Sequence, residues 1–268
     1  MYLLTAAFAK ASGAFEEIEE EVKMTIKPLY TPKKEPMRVA GFMSGSGTNL
    51  RRILEQERSL KPSPYRVVLV FSDTEGSNSR IIADEYGVKH DCRDIREFYK
   101  EKKTDRKDMN VREEYDRKTA ELLRTMRIDV VALCGYMSIV TAPIYDSFVT
   151  LNVHPADLTK MEKGKRKYAG LMGKEAVKAA MLAGDSALRS SVHVVTKDVD
   201  YGPVLMASEP VKIDRSEKED ADAAAERYLG ILKEKGDWVV YPTALRLLAE
   251  GRIGVENGIV YADGERLQ

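Results

Sequence analysis

Apolar residues recur along this chain with two different periods. Four short apolar runs, MRVAGFM (37–43), RVVLVFS (66–72), IDVVALCG (128–135) and VTLNV (149–153), are bounded by turn residues and read as strands. The stretches between them are polar, with apolar positions returning every three or four residues. LRRILEQE (50–57), SRIIADEYG (79–87) and the long segment from Lys107 to Arg127, with Leu122, Leu123 and Met126 on one side, read as helices. A weak third strand falls near Val88. IDVVALCG is apolar at nearly every position, as in strands buried on both faces. This strand–helix succession predicts an α/β fold with a Rossmann-like, mostly parallel sheet and helices on both faces.

The second half of the chain has a different rhythm. A basic stretch, KMEKGKRKY (160–168), leads into a helix from Lys174 to Leu182. SSVHVVT (190–196) and PVLMASEPVKI (203–213), joined by the turn-rich KDVDYG, predict a hairpin-like pair that extends the sheet. Two helices are expected at 216–234 and 238–250, then a terminal hairpin marked by its NG and DG turns. At the other end, Phe8, Phe15, Ile18 and Val22 have helical spacing, and YTPKKEP reads as a linker. The expected division is therefore an N-terminal helical extension and linker, 1–36, and a catalytic domain, 37–268.

Composition narrows the classes of function. Lys and Arg number 43 and Asp and Glu 43, so no basic excess points to nucleic acid. The two cysteines, Cys92 and Cys134, have neither the number of a disulfide framework nor the spacing of a metal site. No apolar run approaches the ~20 residues that span a bilayer, and the N-terminus lacks the basic region of a signal peptide. A cytoplasmic enzyme of small molecules is the expectation. Assembly as a homodimer is compatible with the sequence.

Three segments can carry chemistry. Gly45-Ser46-Gly47-Thr48-Asn49 lies between a strand and a helix, where backbone N–H groups can cradle a phosphate; Thr48 could equally cap the helix. In Leu151-Asn152-Val153-His154-Pro155, Asn152 and His154 are two apart on a strand and face the same side. Asn can donate to a developing oxyanion, and His can exchange a proton near neutrality. A single such His is more often a buried core residue. The third segment is Asp198-Val199-Asp200-Tyr201-Gly202-Pro203, where a carboxylate beside Gly-Pro is by itself a turn former.

Taken together and in this order, VAGFMSGSGTNL, DVVALCGYMSIV, LNVHP, SVHVVTKDVDYGPVL and VVYPTALRLLAEGRI resemble the 10-formyltetrahydrofolate-dependent formyltransferases. Within them the resemblance is to the branch whose acceptor is glycinamide ribonucleotide, in purine biosynthesis. It implies a catalytic trio of Asn152, His154 and Asp200, and a ribonucleotide loop of Gly45, Gly47, Thr48 and Asn49. Asp237 would contact the glycinamide portion, where the family more often has Glu. The folate would lie against Met137, Ile139, Val140 and Thr196, beside His193. Asp200 would raise the pKa of His154, and no metal would be needed. The chain departs from the family at Ser138 (often Arg), at Ala156-Asp157-Leu158-Thr159 and the insertion-like stretch after it, at Met172 and at Tyr201. Transfer to a different amine, hydrolysis of formyltetrahydrofolate, and a binding module without catalysis are the alternatives.

Overall fold

The apolar runs become strands and the amphipathic stretches become helices. The structure is a computed structural model and describes residues 26–214 and 220–267, so the expected helix before residue 26 lies outside the described residues. In chain order the first half comprises β1 (Met37–Met43), α1 (Thr48–Ser59), β2 (Tyr65–Ser72), α2 (Ser79–Tyr86), β3 (Lys89–Cys92), α3 (Ile95–Glu101), α4 (Met109–Thr125), β4 (Val130–Leu133), α5 (Ala142–Tyr145) and β5 (Val149–His154). The second half comprises β6 (Met161–Glu162), β7 (Lys165–Arg166), α6 (Lys174–Leu182), β8 (Ala187–Leu188), β9 (Ser191–Val194), β10 (Val204–Ala207), β11 (Val211–Lys212), α7 (Ala221–Leu232), α8 (Trp238–Ala249), β12 (Ile253–Glu256), β13 (Ile259–Ala262) and β14 (Glu265–Arg266).

The main sheet has seven strands in the order β10-β9-β5-β4-β1-β2-β3. Strands β1 to β5 are parallel, and β9 and β10 extend the sheet antiparallel. The chain runs outward from β1 to β3 and then returns to β4 on the other side of β1. That reversal sets the loops after β1 and β4 side by side, at the kind of crevice where open α/β sheets bind ligands. The Ser44 N–H donates to the Gly135 carbonyl across it (3.1 Å).

Alternation along β4 shows how the sheet is buried twice. Val130 and Ala132 enter one core with Leu50, Ile53 and Leu245, whereas Val131 and Leu133 enter the other with Phe71, Tyr115 and Leu123. A third cluster, including Val177, Tyr228 and Leu232, joins α6 to α7.

Several elements differ from expectation. PVLMASEPVKI is divided: β10 stays in the main sheet, and β11 pairs with β8 in a separate ribbon. The terminal hairpin is a three-stranded meander whose turns place Asn257, Gly258, Asp263 and Gly264 at positive φ. Residues read as a linker lie against this meander, with Tyr30 buried and the Leu29 N–H donating to the Ile253 carbonyl (2.8 Å). The basic stretch 160–168 folds into the β6–β7 ribbon. The expected pair of C-terminal helices is α7 and α8, joined through a π-helical turn, Lys233–Asp237, and residues 216–219 of that expectation lie outside the described residues. No helix among the described residues is long and apolar enough to cross a membrane.

Candidate active site

Strand β5 lies between β4 and β9, and its last residues reach the carboxyl edge of the sheet. Asn152 pairs in register with Leu133 on one side and His193 on the other. His154, two residues on, is buried. Asp200 comes from the link between β9 and β10, at a φ of 59°. Asp tolerates this left-handed conformation better than most residues. Its neighbour Gly202 is required by space, because a Cβ there would lie 1.8 Å from the Val194 carbonyl oxygen.

The fold brings the three expected catalytic residues together. Asp200 Oδ2 stands 3.5 Å from His154 Nδ1, and Oδ1 stands 3.3 Å from His193 Nε2. The Gly170 N–H also donates to Oδ2 (2.9 Å). Asn152 Nδ2 is 3.4 Å from His193 Nε2, and His193 Nδ1 is 3.0 Å from the Val194 carbonyl. His193, expected beside the folate, is 1% exposed and its Nε2 backs Asp200.

Burial sets the electrostatics of His154. It pushes the imidazole below its ordinary value; Asp200 pulls it upward, and His193 adds to the depression. The expectation that Asp200 would raise this pKa is thus right for the one interaction and overturned for the sum, because desolvation of the charged ring is the larger effect. Burial alone would raise Asp200, but the hydrogen bond with His193, the His154 charge and the Gly170 amide hold its carboxyl below the ordinary range. His154 Nε2 is buried and has no hydrogen-bond partner among the described residues.

The Gly45–Asn49 loop turns directly into α1. Gly47 is the N-cap, at φ 68°, and no side chain caps the helix, so Thr48 begins it without capping it. The first-turn N–H groups of a helix have no intrahelical partner. Asn78 fixes the loop by donating its N–H to the Gly45 carbonyl (3.0 Å). Asn49 is turned inward: its Nδ2 donates to Asp237 Oδ2 (3.3 Å), so this side chain orders Asp237 where a direct ligand contact had been expected. Burial raises the Asp237 carboxyl. Tyr241, one turn along α8, donates to the Leu151 carbonyl (2.8 Å), which seats Asp237 near the end of β5. Gly47→Ala is expected to cost roughly 1–2 kcal/mol from the left-handed backbone. Its Cβ would also press on Ile82 Cδ1 (2.5 Å) and Met43 Cε (2.7 Å). Thermal melting together with the KM for a phosphorylated acceptor checks this; an unchanged KM would remove the loop from the ligand site.

Of the expected folate contacts, Met137 and Ile139 are exposed at 61% and 56%. Val140 is a correction: its side chain is buried among Tyr136, Ile144 and Phe148, leaving only backbone for a ligand. The Thr196 hydroxyl is bonded to the Asp198 carbonyl (3.3 Å). Val199, within the link from Thr196 to Asp200 that was expected to meet the folate, and Tyr201 just after it are both exposed. Missed by the sequence reading was Asp73, the polar residue just past β2, which accepts from Ser44 Oγ (2.6 Å) and Ser138 Oγ (2.5 Å) and so ties three strand ends together. Its one signal was its place after a strand at the carboxyl edge of the sheet. Among the described residues, no group of three or more His, Cys, Asp or Glu is placed to hold one metal ion.

The chain is similar to known proteins over most of its length. Residues 37–230 match the formyl transferase family. The phosphoribosylglycinamide formyltransferase of Haemophilus influenzae is 26% identical over 232 residues, 86% of this chain and 95% of that protein. The trifunctional purine biosynthetic protein adenosine-3 of Drosophila melanogaster is 27% identical over 90% of this chain, which spans 16% of that much longer protein. The crystal structure of glycinamide ribonucleotide transformylase 1 from Symbiobacterium toebii superposes with a TM-score of 0.67 at 30% identity, covering 89% of this chain and 99% of that one. With residues 37–230, well over half of its length, matched to the family's model, this chain belongs to the formyl transferase family.

Proposed function

We propose that this formyltransferase moves the formyl group of 10-formyltetrahydrofolate to the amine of glycinamide ribonucleotide in purine biosynthesis. The observation that carries the reading is the arrangement around His154: Nδ1 faces Asp200, and Nε2 is buried and unpartnered among the described residues. A ring held in this way is suited to exchange a proton at Nε2. Its low pKa leaves it neutral near pH 7, so it takes a proton from the attacking amine as that nitrogen gains positive charge. Asp200 stabilises the imidazolium that results. Asn152 and the imidazolium then face the oxyanion of the tetrahedral intermediate. His154 returns the proton to the departing folate nitrogen.

The other groups bind and orient. The Gly45–Thr48 backbone at the start of α1 would hold the ribonucleotide phosphate, and Asp237, ordered by Asn49, would meet the glycinamide end. Met137, Ile139, Val199 and Tyr201 offer exposed apolar surface for the flat folate ring. All of these residues fall within 37–268.

The test mixes the protein with a 10-formyl folate and follows loss of the formyl group by absorbance, with and without glycinamide ribonucleotide. Turnover that requires the ribonucleotide is expected. Turnover without an acceptor would make the protein a hydrolase; folate binding without turnover would refute this acceptor.

A further inference from the structure

The β6–β7 ribbon is the stretch that reads as an insertion in the sequence, and it ends against the Asp200 turn. Arg166, half-buried at the end of β7, donates from Nη1 to the Asp200 carbonyl (2.7 Å) and to the Gly202 carbonyl (2.8 Å). Its guanidinium also lies over the Tyr201 ring, 5.9 Å from the centroid. Four residues on, the Gly170 N–H holds the Asp200 carboxylate. The same segment thus grips the backbone on both sides of Tyr201 and the carboxylate itself.

The turn needs such a grip. Asp200 sits at positive φ, where a residue with a side chain stays only if its surroundings determine it. The geometry points to Arg166 as a positioning residue that locks the Asp200 turn, and with it the Asp200–His154 pair, through the two carbonyls it clamps. Arg suits this task because its planar fork fixes the direction of its donors. The inference rests on the reading of Asp200 and His154 given above.

The test compares Arg166→Ala, Arg166→Lys, Asp200→Asn and the double variant Arg166→Ala/Asp200→Asn by acceptor-dependent turnover across pH. Arg166→Ala is expected to lower kcat by about 10–100-fold, the scale of a misplaced catalytic group, with KM for both substrates little changed. Arg166→Lys should recover part of that loss, since one ammonium can still reach a carbonyl. His154 faces Asp200, His193 and the Tyr168 backbone. Loosening Asp200 should therefore move the acid limb of the pH profile downward, in the direction that Asp200→Asn moves it. The double variant should be no worse than Asp200→Asn, because the two act as one unit. Wild-type kcat and pH profile in Arg166→Ala beside an impaired Asp200→Asn would overturn the role of Arg166 alone, as would additive losses in the double variant. An unimpaired Asp200→Asn would overturn the underlying reading. Should Arg166→Ala not fold, as judged by circular dichroism, Arg166→Lys decides: a lowered kcat with a shifted acid limb supports the clamp, and a wild-type profile refutes it.

Discussion

Replacing His154 by alanine is expected to lower kcat by about 10²–10⁴-fold, the contribution of a placed general acid–base. The methyl group can neither take the proton of the amine nor present a charge to the oxyanion. Folate binding should survive, since the exposed apolar surface for the ring comes from other loops. The pH dependence has a definite sign. Burial lowers the ring below its ordinary 6.5, so the neutral form persists into mildly acid solution and activity is lost only as pH falls through that depressed value. Asp200 opposes the depression. Asp200→Asn should therefore shift the acid limb of kcat/KM to still lower pH while also lowering the plateau. A His154→Ala variant with more than a tenth of wild-type kcat, measured at saturating folate and acceptor, would rule the ring out as the proton carrier.

Asp116→Ala is expected to produce the largest loss of stability. Asp116 is fully buried, and its Oδ1 meets Arg112 Nη2 at 2.7 Å. Its Oδ2 accepts from both the N–H and the hydroxyl of Thr141, each at 2.7 Å. Arg112 in turn donates to the Ile139 carbonyl (2.6 Å) and to Tyr136 Oη (3.2 Å). Removing the carboxylate leaves a buried guanidinium without its counter-charge, which typically costs about 3–5 kcal/mol. For a domain of this size that is a fall in Tm of roughly 6–20 °C. The same contacts hold the 136–141 loop from behind, so the KM for folate should rise in whatever fraction stays folded. A Tm within about 2 °C of wild type would show that the pair is replaceable.

How much of this was legible in the sequence follows from the range of each interaction. The parallel strands were legible because their apolar runs are local and uninterrupted. Asn152 and His154 were legible because a two-residue spacing on a strand fixes a common face. The limits lie where a side chain chooses between two environments that sequence does not distinguish. Asn49 and His193 both carry polar groups toward the site, yet each turns to a buried carboxylate, Asp237 and Asp200. Val140 follows two exposed apolar residues but is the one drawn into the core. Arg166 was one more cation in a basic stretch; its partners lie 34 and 36 residues away, across a turn whose shape no local pattern announces. Helix α3 had a readable start, since Asp94 caps it by accepting from the Arg96 and Glu97 amides, but it is too short for its periodicity to stand out.

The π-helical turn before α8 adds one residue to the usual turn. Each residue beyond it is rotated by about 100° from where an unbroken α-helix would carry it. Asp237 meets Asn49 as the last residue of the turn, and Tyr241 meets Leu151 in the shifted phase beyond it. Gly236, inside the turn, has no room for a side chain, since a Cβ would stand 2.4 Å from Ser190 Oγ. The turn works like a vernier between two helices, setting the angular position of a carboxylate and of a core tyrosine with one adjustment. Losing a single residue there would keep the composition and nearly the length of the helix, yet swing both groups off their partners at once.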